Sequence, residues 1–145
     1  KVVGDALIAE GCDVLYVAAG NAGNGTFTAA KEADGVWLIG VDVDQYDDGA
    51  KGDSNIMLTS TLKVMDVNVQ RQLEAIYDGT FTGQDAYLDT KTDSVGYVSE
   101  EGRQQLSEDT LTALAEVYEL VKDGTIVPAA DSTVNDYTPD NFPGL

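Results

Sequence analysis

The apolar positions of this chain alternate between short unbroken runs and positions spaced three and four apart. Val14-Leu15-Tyr16-Val17-Ala18-Ala19 is such a run, of a length that predicts a buried strand. Gly20-Asn21-Ala22-Gly23-Asn24-Gly25 follows at once, and Phe27 to Ala33 continues as a helix. Val36-Trp37-Leu38-Ile39-Gly40-Val41 is a second run, with Asp42 at its carboxyl end. The pattern reads as one βαβ unit, with a backbone-rich loop and a charged acceptor on the same rim. In open α/β sheets that rim is where ligands bind.

The flanking segments extend the alternation. Val2 to Glu10 has helical composition and Gly11 stands where a helix would stop. Gln45 to Asn55 is a polar, acidic loop, and Ile56-Met57-Leu58-Thr59-Ser60 predicts a third strand. From Leu62 to Asp78, Met65, Val69, Leu73 and Ile76 mark one helix face, and Gly79 ends it. A short strand is expected at Ala86 to Leu88 and another at Ser94 to Val98. Ser107 is a suitable N-cap, because its hydroxyl can accept an orphan backbone N–H. Leu111, Leu114, Val117, Tyr118 and Val121 then form the apolar face of a last helix, closed by Gly124. Ile126-Val127-Pro128 leaves in extended form. Residues 129–145 are polar, hold the two other prolines, and are expected to be a C-terminal tail. Strands alternating with helices predict an α/β fold: a mainly parallel sheet with helices on both faces, spanning residues 1–128.

Composition narrows the function classes. At 145 residues the chain has the length of one domain, and 43% apolar content argues against overall disorder. No apolar run approaches the roughly 20 residues of a membrane helix. The start, Lys1 to Leu7, lacks the apolar stretch of a signal peptide and reads as the middle of a helix, so a fragment or a processed chain is expected. A net charge of −18 argues against nucleic-acid partners, since phosphate contacts need clustered Lys and Arg. Cys12 is the single cysteine; no internal disulfide can form, and its place beside a strand suggests a small buried hydrophobe. The chain has no histidine, which removes a Ser-His-Asp triad and the commonest zinc ligand. No catalytic residue, metal or cofactor is expected.

Three features invite a chemical reading. The glycines stand as G-x-x-G-x-G at Gly20, Gly23 and Gly25, whereas a dinucleotide loop wants G-x-G-x-x-G and a phosphate loop wants a Lys after the last glycine. The remaining readings are a plain βα turn or a bare backbone approaching a neutral ligand. Asp42 can accept two hydroxyl hydrogen bonds, as from a ribose diol, or be a solvated loop acid. Alternation along an extended segment would send Asp42 and Asp44 to the same side, toward the cleft. Lys63, past the third strand, can donate to a ligand or be an exposed lysine at a helix start. Asp44 to Asn55 departs from a calcium loop at two ligand positions, Tyr46 and Asn55. Trp37 and Phe27 read as core residues; Tyr16 is open to either reading.

Three stretches together resemble a known family. Asp13 to Gly25 is similar to "ADV-(I/L)-(F/Y)-x-AAG-x-x-G-x-G", Ile39 to Gln45 to "IGVD-x-DQ", and Leu58 to Lys63 to "LTS-x-x-K". Asp123 to Pro128 resembles the family's "G-x-I-x-V-P" end. The family is the basic membrane protein group, or purine nucleoside receptor A-like group, of bacterial substrate-binding lipoproteins that serve ABC transporters. The resemblance implies a type I periplasmic-binding-protein fold, two α/β lobes closing on a nucleoside, most often a purine. Residues 1–128 would be most of the second lobe with the segments that cross back to the first. An N-terminal lobe carrying the base-stacking aromatics would lie upstream. By the same match Gly20 would meet the ligand through its backbone, Asp42 would hold the ribose hydroxyls, and Lys63 would hydrogen-bond in the cleft. A transporter permease would be the protein partner, and the location extracytoplasmic, lipid-anchored at the membrane. The residues alone leave open an NAD(P)-binding Rossmann-type domain of an oxidoreductase, and a ligand-sensing receptor domain on the same fold.

Overall fold

The computed structural model describes residues 1–128; the tail expected at 129–145 lies outside the described residues. The elements are α1 (Val2–Ala9), β1 (Val14–Tyr16), α2 (Asn24–Glu32), β2 (Trp37–Asp42), β3 (Ala50–Lys51), β4 (Ser54–Asn55), β5 (Met57–Lys63), α3 (Met65–Tyr77), β6 (Val95–Tyr97) and α4 (Glu108–Asp123). Single 3₁₀ turns at Gly20–Gly23 and Tyr46–Gly49 precede α2 and β3. The main sheet has the order β1-β2-β5-β6. The first three strands are parallel, and β6 pairs antiparallel to β5. The fold is α/β with a largely parallel sheet, as the alternating pattern predicts.

One face of the sheet carries the core. Leu15, Val17, Val36, Leu38, Ile56 and Met57 pack there with Phe27 and Ala30 of α2, and Cys12 is half-buried against them. Leu38 and Met57 are wholly buried, each favouring the folded state by about 1.5–3 kcal/mol. Helix α4 stands over the opposite face. Its Leu114 and Tyr118 share a cavity of about 620 Å³ with Tyr16, Ile39 and Thr59 of the sheet. The helix begins where Ser107 accepts the Thr110 N–H at 3.2 Å and ends at Gly124, whose φ of 87° is the left-handed conformation that suits glycine.

Four expectations need correction. The third strand runs to Lys63, so the helix after it starts at Met65 rather than Leu62. Pairing of Thr61, Leu62 and Lys63 with Tyr97, Gly96 and Val95 holds these residues extended. A register shift lets β5 bulge at Leu58, whose carbonyl accepts the Gln105 N–H at 2.8 Å. Second, Ala86 to Leu88 is not a strand; it pairs with nothing among the described residues, and Tyr87 is 92% exposed. Third, Gln45 to Asn55 is more than a loop, for β3 and β4 form a small hairpin within it. Fourth, Trp37 is 36% exposed rather than core, because it opens β2 and its side chain falls on the face away from Leu38.

Helix α3 buries none of its residues. Met65, Val69, Leu73 and Ile76, the face read from spacing, are each more than half exposed. The helix and the segment after it leave the sheet at Val64 and return at Ser94, where the Val64 N–H donates to the Ser94 carbonyl at 2.9 Å. Arg71 of α3 donates to the Thr92 carbonyl at 2.7 Å, and the Ser94 hydroxyl donates to Asn68 Oδ1 at 2.9 Å. These polar contacts, not a packed core, hold the excursion against its own stem.

Candidate functional site

Gly20, Asp42 and Lys63 all lie at the carboxyl ends of parallel strands. Gly20 follows β1, Asp42 is the last residue of β2, and Lys63 is the last residue of β5. Since these three strands are neighbours in the sheet, the residues share one rim.

Gly20 has φ 52°, a conformation that opens the 3₁₀ turn leading into α2 and leaves bare backbone at the rim. It lines a cavity of about 180 Å³ with Asn21, Asn24, Phe27, Asp42 and Gln45. The first turn of α2 borders this space through Asn24, whose N–H is already taken by the Asn21 carbonyl. Phe27 is buried against the core and forms the cavity floor.

Asp42 has φ 74°, an uncommon backbone for a residue with a side chain, though one that Asp tolerates better than most. Lys63 Nζ lies 2.8 Å from its Oδ1. This oxygen is occluded from solvent and, apart from the ion pair, has no donor among the described residues. Close polar contact with Asp42, and then its charge, hold the Lys63 ammonium above its ordinary pKa. The Tyr16 hydroxyl meets Thr61 Oγ1 at 3.2 Å beside this pair. The rim thus offers a carboxylate with spare acceptor capacity, an ammonium, and exposed backbone: a set suited to hydroxyl and amide groups.

Asp44 does not join Asp42. The left-handed turn at Asp42 ends the extended segment, and with it the alternation that would have aligned the two. Asp44 instead accepts the Tyr46 N–H at 2.9 Å and Arg103 Nε at 2.6 Å. Arg103 also grips both oxygens of Asp47, at 2.9 and 3.2 Å, and lies 5.2 Å from the Tyr46 ring centroid. These partners hold the guanidinium pKa above its ordinary range, Asp47 first and Asp44 second.

Sequence reasoning passed over Gln45 and Ser60. Gln45 Oε1 accepts the Val41 N–H at 2.9 Å, and the Gln45 N–H donates to the buried Ser60 Oγ at 3.1 Å. A Cβ on Gly40 would stand 2.5 Å from Ser60 Oγ and 3.0 Å from Gln45 Oε1. For Gln45 the available signal is a long amide side chain three residues past the acid that ends the strand.

Residues 1–131 match the family described as ABC transporter substrate-binding protein PnrA-like. The chain is 32% identical over 136 residues to a CD4+ T-cell-stimulating antigen of Listeria monocytogenes, covering 86% of this chain and 38% of that protein. It is 39% identical over 95 residues to the ABC transporter nucleoside-binding protein BmpA of Lactococcus lactis, covering 57% of this chain and 27% of that one. Among solved structures, an ABC transporter solute-binding protein from Aeropyrum pernix superposes with a TM-score of 0.69 at 22% identity, over 90% of this chain and 44% of that chain. A transcriptional activator of the comK gene from Bacillus halodurans gives 0.73 at 20% identity, over 88% and 43%. The chain therefore spans less than half the length of each of these proteins. The dinucleotide alternative draws no support from these likenesses. With the alternating α/β architecture and the three motifs on one rim, the match over most of its length places this chain in the PnrA-like family of ABC transporter substrate-binding proteins.

Proposed function

We propose that the chain is the second lobe, with its crossover segments, of an extracytoplasmic, lipid-anchored substrate-binding protein that delivers a nucleoside, of the purine class, to an ABC transporter permease. The observation that carries this reading is the convergence of Gly20, Asp42 and Lys63 on the ends of three adjacent parallel strands. Asp42 accepts the ribose hydroxyls, Lys63 donates in the cleft, and the Gly20 backbone lies against the ligand. The nucleoside-binding function named for the Lactococcus relative supports the ligand class. An N-terminal lobe supplies the other wall, because the rim alone would leave most of a nucleoside wet while pockets bury about 70–90% of theirs. The role is capture, not chemistry. Calorimetry of the full-length protein with adenosine, guanosine, inosine, ribose and adenine tests it. Nucleosides are expected to bind and the free base and free sugar to bind far more weakly; equal binding of adenine and adenosine removes ribose recognition.

A further inference from the structure

We propose that Gln45 and Ser60 are positioning residues for Asp42, a role that rests on the nucleoside reading above. The strand ends at Asp42 in a left-handed backbone, and the chain then reverses through Val43 and Asp44. Such a reversal needs fixed ends. Here side chains close it. The Gln45 amide oxygen takes the Val41 N–H at 2.9 Å, on the residue before Asp42, and the Gln45 N–H is anchored on Ser60 at 3.1 Å. Ser60 is wholly buried in β5, the strand that pairs with β2, so the anchor point is as rigid as the sheet. Gln45 Nε2 donates to Asp48 at 3.3 Å, which fixes which end of the amide faces Val41. Gly40 leaves the room this interlock occupies, for a Cβ there would collide with both partners.

The consequence is that the Asp42 carboxylate is aimed by two residues behind it. Asp44, the other acid of the reversal, is already engaged by Arg103 and the Tyr46 N–H and does not take part. Ser60 lines none of the rim cavity, whereas Gln45 does. A direct Gln45 contact with ligand is therefore the competing account, and the two differ in how they couple to Asp42.

The test uses full-length protein titrated with adenosine by calorimetry. Gln45→Met, Ser60→Ala and Asp42→Ala are compared with the two double variants. Each single change behind Asp42 is expected to weaken adenosine about tenfold, the scale of one hydrogen bond. In the Asp42→Ala background the same changes should cost less than about twofold, since sites acting through one group are not additive. Gln45→Glu combined with Asp48→Asn keeps the acceptor for the Val41 N–H, removes the carboxylate that Gln45 Nε2 now contacts, and should restore affinity to within about threefold. Undiminished losses in the Asp42→Ala background, or single variants that bind as wild type, overturn the proposal. Amide hydrogen exchange at Val41 decides independently of ligand: exchange at least about tenfold faster in Gln45→Met supports the interlock, and unchanged exchange sinks it. If wild-type protein exchanges as expected but binds no nucleoside, the ligand reading has failed and the interlock has not. Should Gln45→Met not fold, Ser60→Ala carries the same comparison.

Discussion

Lys63 and Asp42 carry opposite charges 2.8 Å apart on neighbouring parallel strands, one residue out of register, since Asp42 pairs with Leu62. Both side chains are partly exposed, so the pair adds little to stability in water. Its role is local: it holds the ammonium beside the carboxylate at the strand ends.

The first prediction concerns that carboxylate. Asp42→Ala in the full-length protein is expected to weaken a purine nucleoside by more than about 1.5 kcal/mol, the usual worth of a hydrogen bond to a charged acceptor. Unchanged affinity by calorimetry would remove Asp42 from the site.

The second separates strain from charge at the same position. Asp42→Gly and Asp42→Ala delete the same carboxylate, but only glycine adopts φ 74° freely. Asp42→Gly should be the more stable of the two by about 1 kcal/mol, whatever both do to binding. Urea melts showing Ala equal to Gly would mean that the backbone relaxes out of the left-handed region.

A third prediction tests close packing behind the rim. Gly40→Ala places a methyl 2.5 Å from Ser60 Oγ and 3.0 Å from Gln45 Oε1, in a strand that cannot shift without breaking its pairing. A loss of about 1–3 kcal/mol in thermal or denaturant unfolding is expected. Gly40→Ala and Gln45→Met should combine non-additively because they share one contact.

The pH dependence of stability gives a fourth. Lys122, near the end of α4, lies 2.5 Å from Asp93 at the entry to β6. Contact with Lys122, then its charge, holds the Asp93 carboxyl below its ordinary 3.8, and the hydrogen bond that Lys122 donates to Asp93 holds the ammonium above its ordinary 10.5. The acidic partner's contribution is present above the unfolded value and lost as pH falls through the lower folded one. The basic partner's is present below the unfolded value and lost as pH rises through the higher folded one. The melting-temperature difference between wild type and Lys122→Met should therefore be level through the neutral range and shrink at both extremes. A difference that does not vary with pH would show that Lys122 acts through packing of its stem alone.

The fifth concerns the bare face of α3. Leu73 and Ile76 are 61% and 58% exposed on an apolar helix face, and such patches drive association. Light scattering of this chain alone should give a mass above that of a monomer, and Leu73→Lys with Ile76→Lys should return it to monomer. A monomeric parent chain would contradict this.

Most of the architecture was legible because the period of the apolar residues changes with each element. Val14 to Ala19 and Val36 to Val41 are runs; Met65 to Ile76 keeps helical spacing even though that face is more than half exposed. The differences have two kinds of cause, a distant pairing and a local backbone turn. Local spacing reads Leu62 and Lys63 as helix because the sequence cannot show that β6 returns to pair with them. Alternation places Asp44 beside Asp42 because it assumes extended backbone, and one positive φ cancels it. At the rim, the charged residues stood out by type, whereas Ser60 and Gln45 matter through backbone partners that only the folded chain brings near.

The stem of the α3 excursion has a consequence for modularity. The chain departs after Val64 and re-enters at Ser94, and those two points are joined by a backbone hydrogen bond of 2.9 Å. Antiparallel strands can be joined by a two-residue turn. Everything between the two points is thus topologically an insertion into a β-hairpin. Replacing residues 65–93 with an Asn-Gly turn would give a shorter chain that keeps β1, β2, β5 and β6, the rim with Gly20, Asp42 and Lys63, and none of the exposed face of α3.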